Sequence, residues 1–101
     1  MKYSFEEIKK KMNELVENVC EPELTLYMYG KAYMIIAYGD HCSFQRCGFN
    51  DGSGEVNYKT LDELYNTETV DNILLKRDWK DIENFECYDF DYIITQSNYE
   101  E

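Results

Sequence analysis

Phe5, Ile8, Met12, Leu15, Val16 and Val19 recur at helical spacing and form one apolar stripe. Lys9, Lys10, Asn13, Glu14 and Glu17 fall on the opposite side, so the pattern predicts an amphipathic helix over residues 4–20. Ser4 and Glu7 make an S-x-x-E capping box, and Tyr3 with Ile8 fits a hydrophobic staple. Pro22 stops the helix and starts an extended segment.

From Leu24 to Cys47 the period changes to two, which predicts a three-strand meander. Gly30-Lys31 and Gly39-Asp40 sit where two-residue hairpin turns belong, and a leading Gly suits type II′. Those turns set Leu26 opposite Ile35, Met28 opposite Tyr33, Ala37 opposite Leu24 and Cys42, and Ile35 also opposite Phe44. Paired residues share a face. One face therefore collects Leu24, Leu26, Met28, Tyr33, Ile35, Ala37, Cys42 and Phe44, and the first helix is expected to cover it. The other face is Tyr-rich: Tyr27, Tyr29 and Tyr38 lie among Thr25, Ala32, Met34, Ile36, His41, Ser43, Gln45 and Cys47.

Residues 48–57 read as a Gly-rich acidic connection. Aligned as a calcium loop, they put Phe49 where the first acid belongs and Thr60 where the bidentate Glu belongs, so the match fails. Thr60 and Glu63 make a second capping box, opening a short helix through Tyr65. Residues 70–79 predict another short helix, with Val70, Ile73, Leu74 and Trp79 inward. Residues 84–95 alternate as a strand, with Glu86, Tyr88, Phe90, Tyr92 and Ile94 on one face and Phe85, Cys87, Asp89, Asp91 and Ile93 on the other. Residues 97–101 read as a frayed tail.

These elements predict an α+β fold: an N-terminal helix packed on an antiparallel sheet, made of the meander plus a C-terminal strand, with short helices between. At 101 residues the chain holds one core, so 1–101 is expected to be a single domain.

Charge narrows the function. The net charge is −11, and residues 81–101 hold seven acids and no Lys or Arg. Phosphates and anionic membranes are repelled by such a chain, whereas a basic protein is attracted. The plain alternative is a solvated acidic surface. MKYSFEEIKKK lacks the apolar stretch of a signal peptide, and no apolar run approaches the roughly 18 residues of a membrane span. A cytoplasmic protein with reduced cysteines is the expectation, as a monomer or weak dimer.

Three groups of residues are candidates for chemistry. Cys42-x4-Cys47, with His41 beside it and Cys20 and Cys87 elsewhere, offers soft ligands for zinc, with four of these five at most as ligands. On a regular strand Cys42 and Cys47 point to opposite faces, roughly 16 Å apart, so the strand must break for them to share an ion. The same register brings Cys20, His41 and Cys42 toward one end of the sheet; otherwise the thiols simply pack. His41 and Cys42 are adjacent but point apart, which argues against a nucleophile–base pair. There is no nucleophile elbow, phosphate loop or dinucleotide fingerprint, so an enzyme is not expected unless a deep pocket surrounds His41. Third, Asp81, Glu83, Glu86, Asp89 and Asp91 make an acidic row, with Asp89 and Asp91 roughly 6.7 Å apart, close to the spacing of successive phosphates. Together with Tyr27 and Tyr29 it is the candidate partner-binding surface; an anti-aggregation edge is the plain alternative.

The acidic segment Asp81–Asp91, the Tyr-rich meander and the scattered Cys/His set give the whole chain a profile that resembles phage-encoded anti-CRISPR proteins, in particular inhibitors of type II-A systems, some of which carry a metal. The resemblance implies a non-enzymatic inhibitor in the host-cell cytosol. Its partner is then a CRISPR-associated RNA-guided nuclease, blocked in nucleic-acid loading or in a required domain movement. That nuclease's nucleic-acid channels are basic, which suits an acidic ligand. The other reading is a zinc-stapled structural or accessory phage protein with a different protein partner.

Overall fold

The structure, a computed structural model, describes residues 3–18, 20–48 and 54–87. The first helix opens as its sequence predicts. Ser4 N–H donates to Glu7 Oε1 at 3.1 Å and Glu7 N–H donates to Ser4 Oγ at 3.2 Å, the reciprocal bonds of a capping box. The helix α1 spans Phe5–Asn18 and stops short of the expected end at residue 20. Cys20 N–H instead closes the helix end, donating to the Leu15 carbonyl at 2.9 Å. Phe5, Ile8, Met12 and Leu15 are buried and Val16 packs against them; Val19 lies outside the described residues.

Strands β1 (Glu23–Met28), β2 (Lys31–Ala37) and β3 (Cys42–Arg46) form the meander. A short β4 (Val56–Tyr58) and a short β5 (Asn84–Glu86) complete a five-stranded antiparallel sheet of order β4-β3-β2-β1-β5. Between β4 and β5 lie α2 (Leu61–Asn66), a 3-10 turn (Val70–Asn72), α3 (Leu75–Asp78) and a second 3-10 turn (Trp79–Asp81). The fold is α+β. All eight residues assigned to the core face of the meander are buried. The opposite face is mostly half-buried, and Ser43 in it is fully buried.

The second hairpin turns at Gly39-Asp40 with the expected register, Ile35 opposite Phe44 and Ala37 opposite Cys42. Gly39 is not at positive φ, so this turn is not type II′. The first hairpin differs more. Its turn is Tyr29-Gly30, at φ 54° and 71°, and two positive φ values are the mark of a type I′ turn. Leu24 therefore pairs with Ile35, Leu26 with Tyr33 and Met28 with Lys31. A slip of two residues keeps every side chain on its expected face, because the side-chain period is two. Tyr33 lies parallel to Phe44 at 5.6 Å, and its hydroxyl donates to Asp71 Oδ2 at 2.8 Å. Tyr29 takes a left-handed conformation at a steric cost, and its own hydroxyl is anchored 2.6 Å from Asp81 Oδ2.

Three other expectations change. Tyr58 is buried opposite Cys42, so part of the expected 48–57 connection and the residue after it pair as β4. The 70–79 helix is broken, because Asp71 and Asn72 both take positive φ (56° and 62°). Leu75, with Ile73 and Trp79, is then buried, while Val70 and Leu74 stay half-buried. The C-terminal strand is present as β5, where Phe85 pairs with Leu26 on the core side and Glu86 pairs with Thr25 on the other. The rest of the expected 84–95 strand and the 97–101 tail lie outside the described residues.

Helix α2 starts as predicted, with Glu63 N–H donating to Thr60 Oγ1 at 3.1 Å. Thr60→Ala is expected to lower stability by about 1 kcal/mol. Urea unfolding checks this, and an unchanged midpoint means that Glu63 N–H finds another acceptor.

Candidate functional site

β5 places the acidic residues against the tyrosines. Its antiparallel pairing with β1 sets Glu86 opposite Thr25 and Asn84 opposite Tyr27, and Glu83 N–H extends the ladder to the Tyr27 carbonyl at 2.7 Å. From this register two tyrosine–carboxylate pairs follow. Tyr27 Oη donates to Glu86 Oε2 at 3.2 Å, and Tyr29 Oη donates to Asp81 Oδ2 at 2.6 Å. The bond to Asp81, then burial and the nearby Asp78, push the Tyr29 hydroxyl up to about 12. Burial, and then Glu86, raise that of Tyr27. The Asp81 carboxyl is held below the usual range, first by Tyr29 and, among the smaller causes, by Lys80 at 3.4 Å.

Five of the seven residues expected to bind a partner therefore gather along one edge of the sheet: Tyr27, Tyr29, Asp81, Glu83 and Glu86. Asp89 and Asp91 lie outside the described residues. A groove of about 260 Å³ lies at this edge, lined by Tyr27, Gly30, Lys31, Ala32 and Glu83. The edge is less uniformly acidic than the linear sequence implies. Lys80 sits on Asp81, and Arg77 holds Asp78 with Nε–Oδ1 and Nη2–Oδ2 bonds of 2.8 Å each. What remains is a net acidic, aromatic edge in which tyrosine hydroxyls are hydrogen-bonded to carboxylates.

The candidate zinc ligands are spread across the sheet. Cys42 starts β3 on the core face, opposite Ala37 and Tyr58. Cys47 follows the far end of that strand, where its N–H donates to the Ala32 carbonyl at 2.9 Å. Cys20 and Cys87 are half-buried against the core. Among the described residues no three His, Cys, Asp or Glu side chains converge as a metal-binding group. Burial, with Glu63 nearby, pushes the Cys42 thiol up to about 11, so it is protonated at neutral pH.

His41, like Cys42, lines a cleft beside the second hairpin. Its ring stacks on Tyr38 with centroids 4.4 Å apart, and its Nδ1 lies 2.6 Å from Asp40 Oδ1. This cleft, of about 450 Å³, is walled by α1 and by the junction of β4 with α2. It is the pocket on which an enzymatic reading of His41 would depend; the one thiol among the described residues lining it, Cys42, is held protonated and so is not a ready nucleophile. The sequence singled out His41 but not the cleft, because residues 9–17 and 59–62 reach it only through tertiary packing.

Among the described residues no helix is long and apolar enough to cross a membrane. Compared with protein-family models, with curated proteins and with solved structures, the chain matches none of them.

Proposed function

We propose that this chain is a non-enzymatic inhibitor that binds a basic, nucleic-acid-handling protein through the β1–β5 edge. One observation carries the reading: Tyr27 with Glu86 and Tyr29 with Asp81 are interlocked beside the exposed Glu83 on a chain of net charge −11. Fixed tyrosines supply contact area at little entropic cost, and the acids steer a basic partner and set its register. Occupying the partner's basic surface blocks nucleic-acid loading or a required domain movement. The anti-CRISPR resemblance makes a CRISPR-associated RNA-guided nuclease the first partner to test.

The double reversal Glu83→Lys and Glu86→Lys is expected to weaken binding to such a nuclease by roughly tenfold or more, mainly through the association rate. Rising salt is expected to weaken the native complex in the same way. Glu14→Lys with Glu55→Lys makes the same change in net charge away from the edge and serves as the control. Equal affinities for the two double variants, measured by surface plasmon resonance, would remove the edge from the interface.

A further inference from the structure

We propose that two copies of this chain pair through their β4 strands, antiparallel and centred on Asn57. β4 is the last strand at its end of the sheet, with β3 on one side and no strand among the described residues on the other. The ladder fixes which of its backbone groups point outward. Tyr38 N–H donates to the His41 carbonyl and Cys47 N–H to the Ala32 carbonyl, so the odd-numbered residues of β3 bond toward β2. The even-numbered Cys42 and Phe44 therefore bond toward Tyr58 and Val56 of β4. That turns the N–H and C=O of Asn57 out of the sheet. Glu55, Val56, Asn57 and Lys59 are all exposed. Val56, at 40%, is one of two large apolar side chains so exposed among the described residues.

The flanking charges select the occupant of this edge. A short edge strand bounded by charges is normally protected from pairing. Here the charges have opposite sign at the two ends, Glu55 before the strand and Lys59 after it, which suits an antiparallel copy of the same strand. With the two-fold axis at Asn57, that residue meets itself, Glu55 meets Lys59 of the second copy, and Val56 meets its Tyr58. The two Asn57 residues exchange both backbone bonds. Each Val56–Tyr58 pair falls at the closer, non-hydrogen-bonded spacing on the core side. Moving the axis to Val56 or to Tyr58 sets Asn57 against Glu55 or against Lys59 and loses the opposite-charge pairs. Neither Glu55 nor Lys59 is in an ion pair with another described residue, so both charges are open to a second copy. The strand is short and two chains of net charge −11 repel, so the dimer is weak. It joins two five-stranded sheets into one and leaves the β1–β5 edge of each copy at an outer end, so it does not rest on the function proposed for that edge.

The test is sedimentation equilibrium of the full chain at about 0.15 M salt, with protein at up to about 1 mM. A monomer–dimer equilibrium is expected. Asn57→Pro removes an N–H that the sheet of one copy does not use, so it is expected to abolish the dimer and leave the far-UV circular dichroism unchanged. Lys59→Glu sets Glu against Glu and is expected to weaken the dimer by about threefold or more. Adding Glu55→Lys restores both the net charge and the opposite-charge pairs, so the double variant is expected to recover the native affinity. A native chain that stays monomeric, a folded Asn57→Pro variant that still dimerises, or a double variant no better than Lys59→Glu alone would overturn the proposal. Were Asn57→Pro to unfold the chain, the charge swap would still decide. Binding to a nuclease is measured on dilute, monomeric protein, so loss of the β4 contact and loss of the β1–β5 contact are read separately.

Discussion

Trp79→Ala is expected to lower the unfolding free energy by about 3–5 kcal/mol, the largest effect of any single substitution considered for this chain. Trp79 is where parts of the chain distant in sequence meet. Its ring is edge-on to Phe5 at 5.4 Å and to Tyr65 at 6.0 Å, and tilted against Phe85 at 5.7 Å. Phe5 and Tyr65 stack on each other at 3.9 Å. The indole Nε1–H donates to the Tyr3 carbonyl at 2.9 Å. Truncation removes apolar area, leaves a cavity between α1, α2 and β5, and frees a carbonyl. A small domain has a total stability of about 5–15 kcal/mol, so the variant sits near its unfolding threshold. Trp79 is the one tryptophan of the chain, so urea unfolding must be followed by far-UV circular dichroism rather than fluorescence. A loss under about 1 kcal/mol would show that the surrounding rings collapse into the gap.

Asp78→Ala is expected to cost about 2–3 kcal/mol at neutral pH. The Asp78 side chain is only 7% exposed, yet it is ionised and fully engaged. Arg77 grips both of its oxygens, and Leu74 N–H donates to Oδ2 at 3.0 Å, which satisfies the start of α3. Arg77 is 55% exposed, so after the substitution its charge returns to water, and the cost stays below that of stranding a buried ion. The Arg77 guanidinium is the main reason that the Asp78 carboxyl is held down to about 2. An unfolded Asp titrates near 3.9, so the folded state binds this proton less readily than the unfolded state. The stabilisation is therefore fully present above about pH 4 and drains away as the pH falls toward 2. The stability gap between native protein and Asp78→Ala should be constant from pH 7 to pH 5 and then narrow by about 2 kcal/mol on approaching pH 2. A gap independent of pH would show that the carboxylate contributes through packing alone.

Local rules carried much of the architecture. Ser4 with Glu7 and Thr60 with Glu63 announce their helices because each pair bonds within one turn. The core face of the meander is legible because alternation alone separates its two sides. The Tyr29-Gly30 turn is not legible, since Tyr is a poor residue for positive φ and is anchored there by Asp81, far along the chain. Three-residue β4 is too short to alternate. The break at Asp71-Asn72 is set by tertiary bonds: Asp71 takes Tyr33 and Arg46, and the Asn72 carbonyl takes Arg77. For the same reason the acidic row and the tyrosines were each visible, but their pairing was not. The walls of the His41 cleft come from three separate stretches that no local pattern connects.

The strand order has a consequence for how the chain assembles. β1, β2 and β3 join through short hairpins and β4 follows β3, so those pairings close small loops at low entropic cost. β5 pairs with β1 across most of the chain, Thr25 with Glu86, so this pairing closes the longest loop of the sheet and carries its largest closure entropy. Until it happens, β1 is an open strand edge carrying Thr25, Tyr27 and their unpaired backbone groups, the kind of edge that recruits other strands. During synthesis that interval lasts until residues 84–86 have left the ribosome, so the chain is most exposed to mispairing just before the edge proposed to bind its partner comes into being.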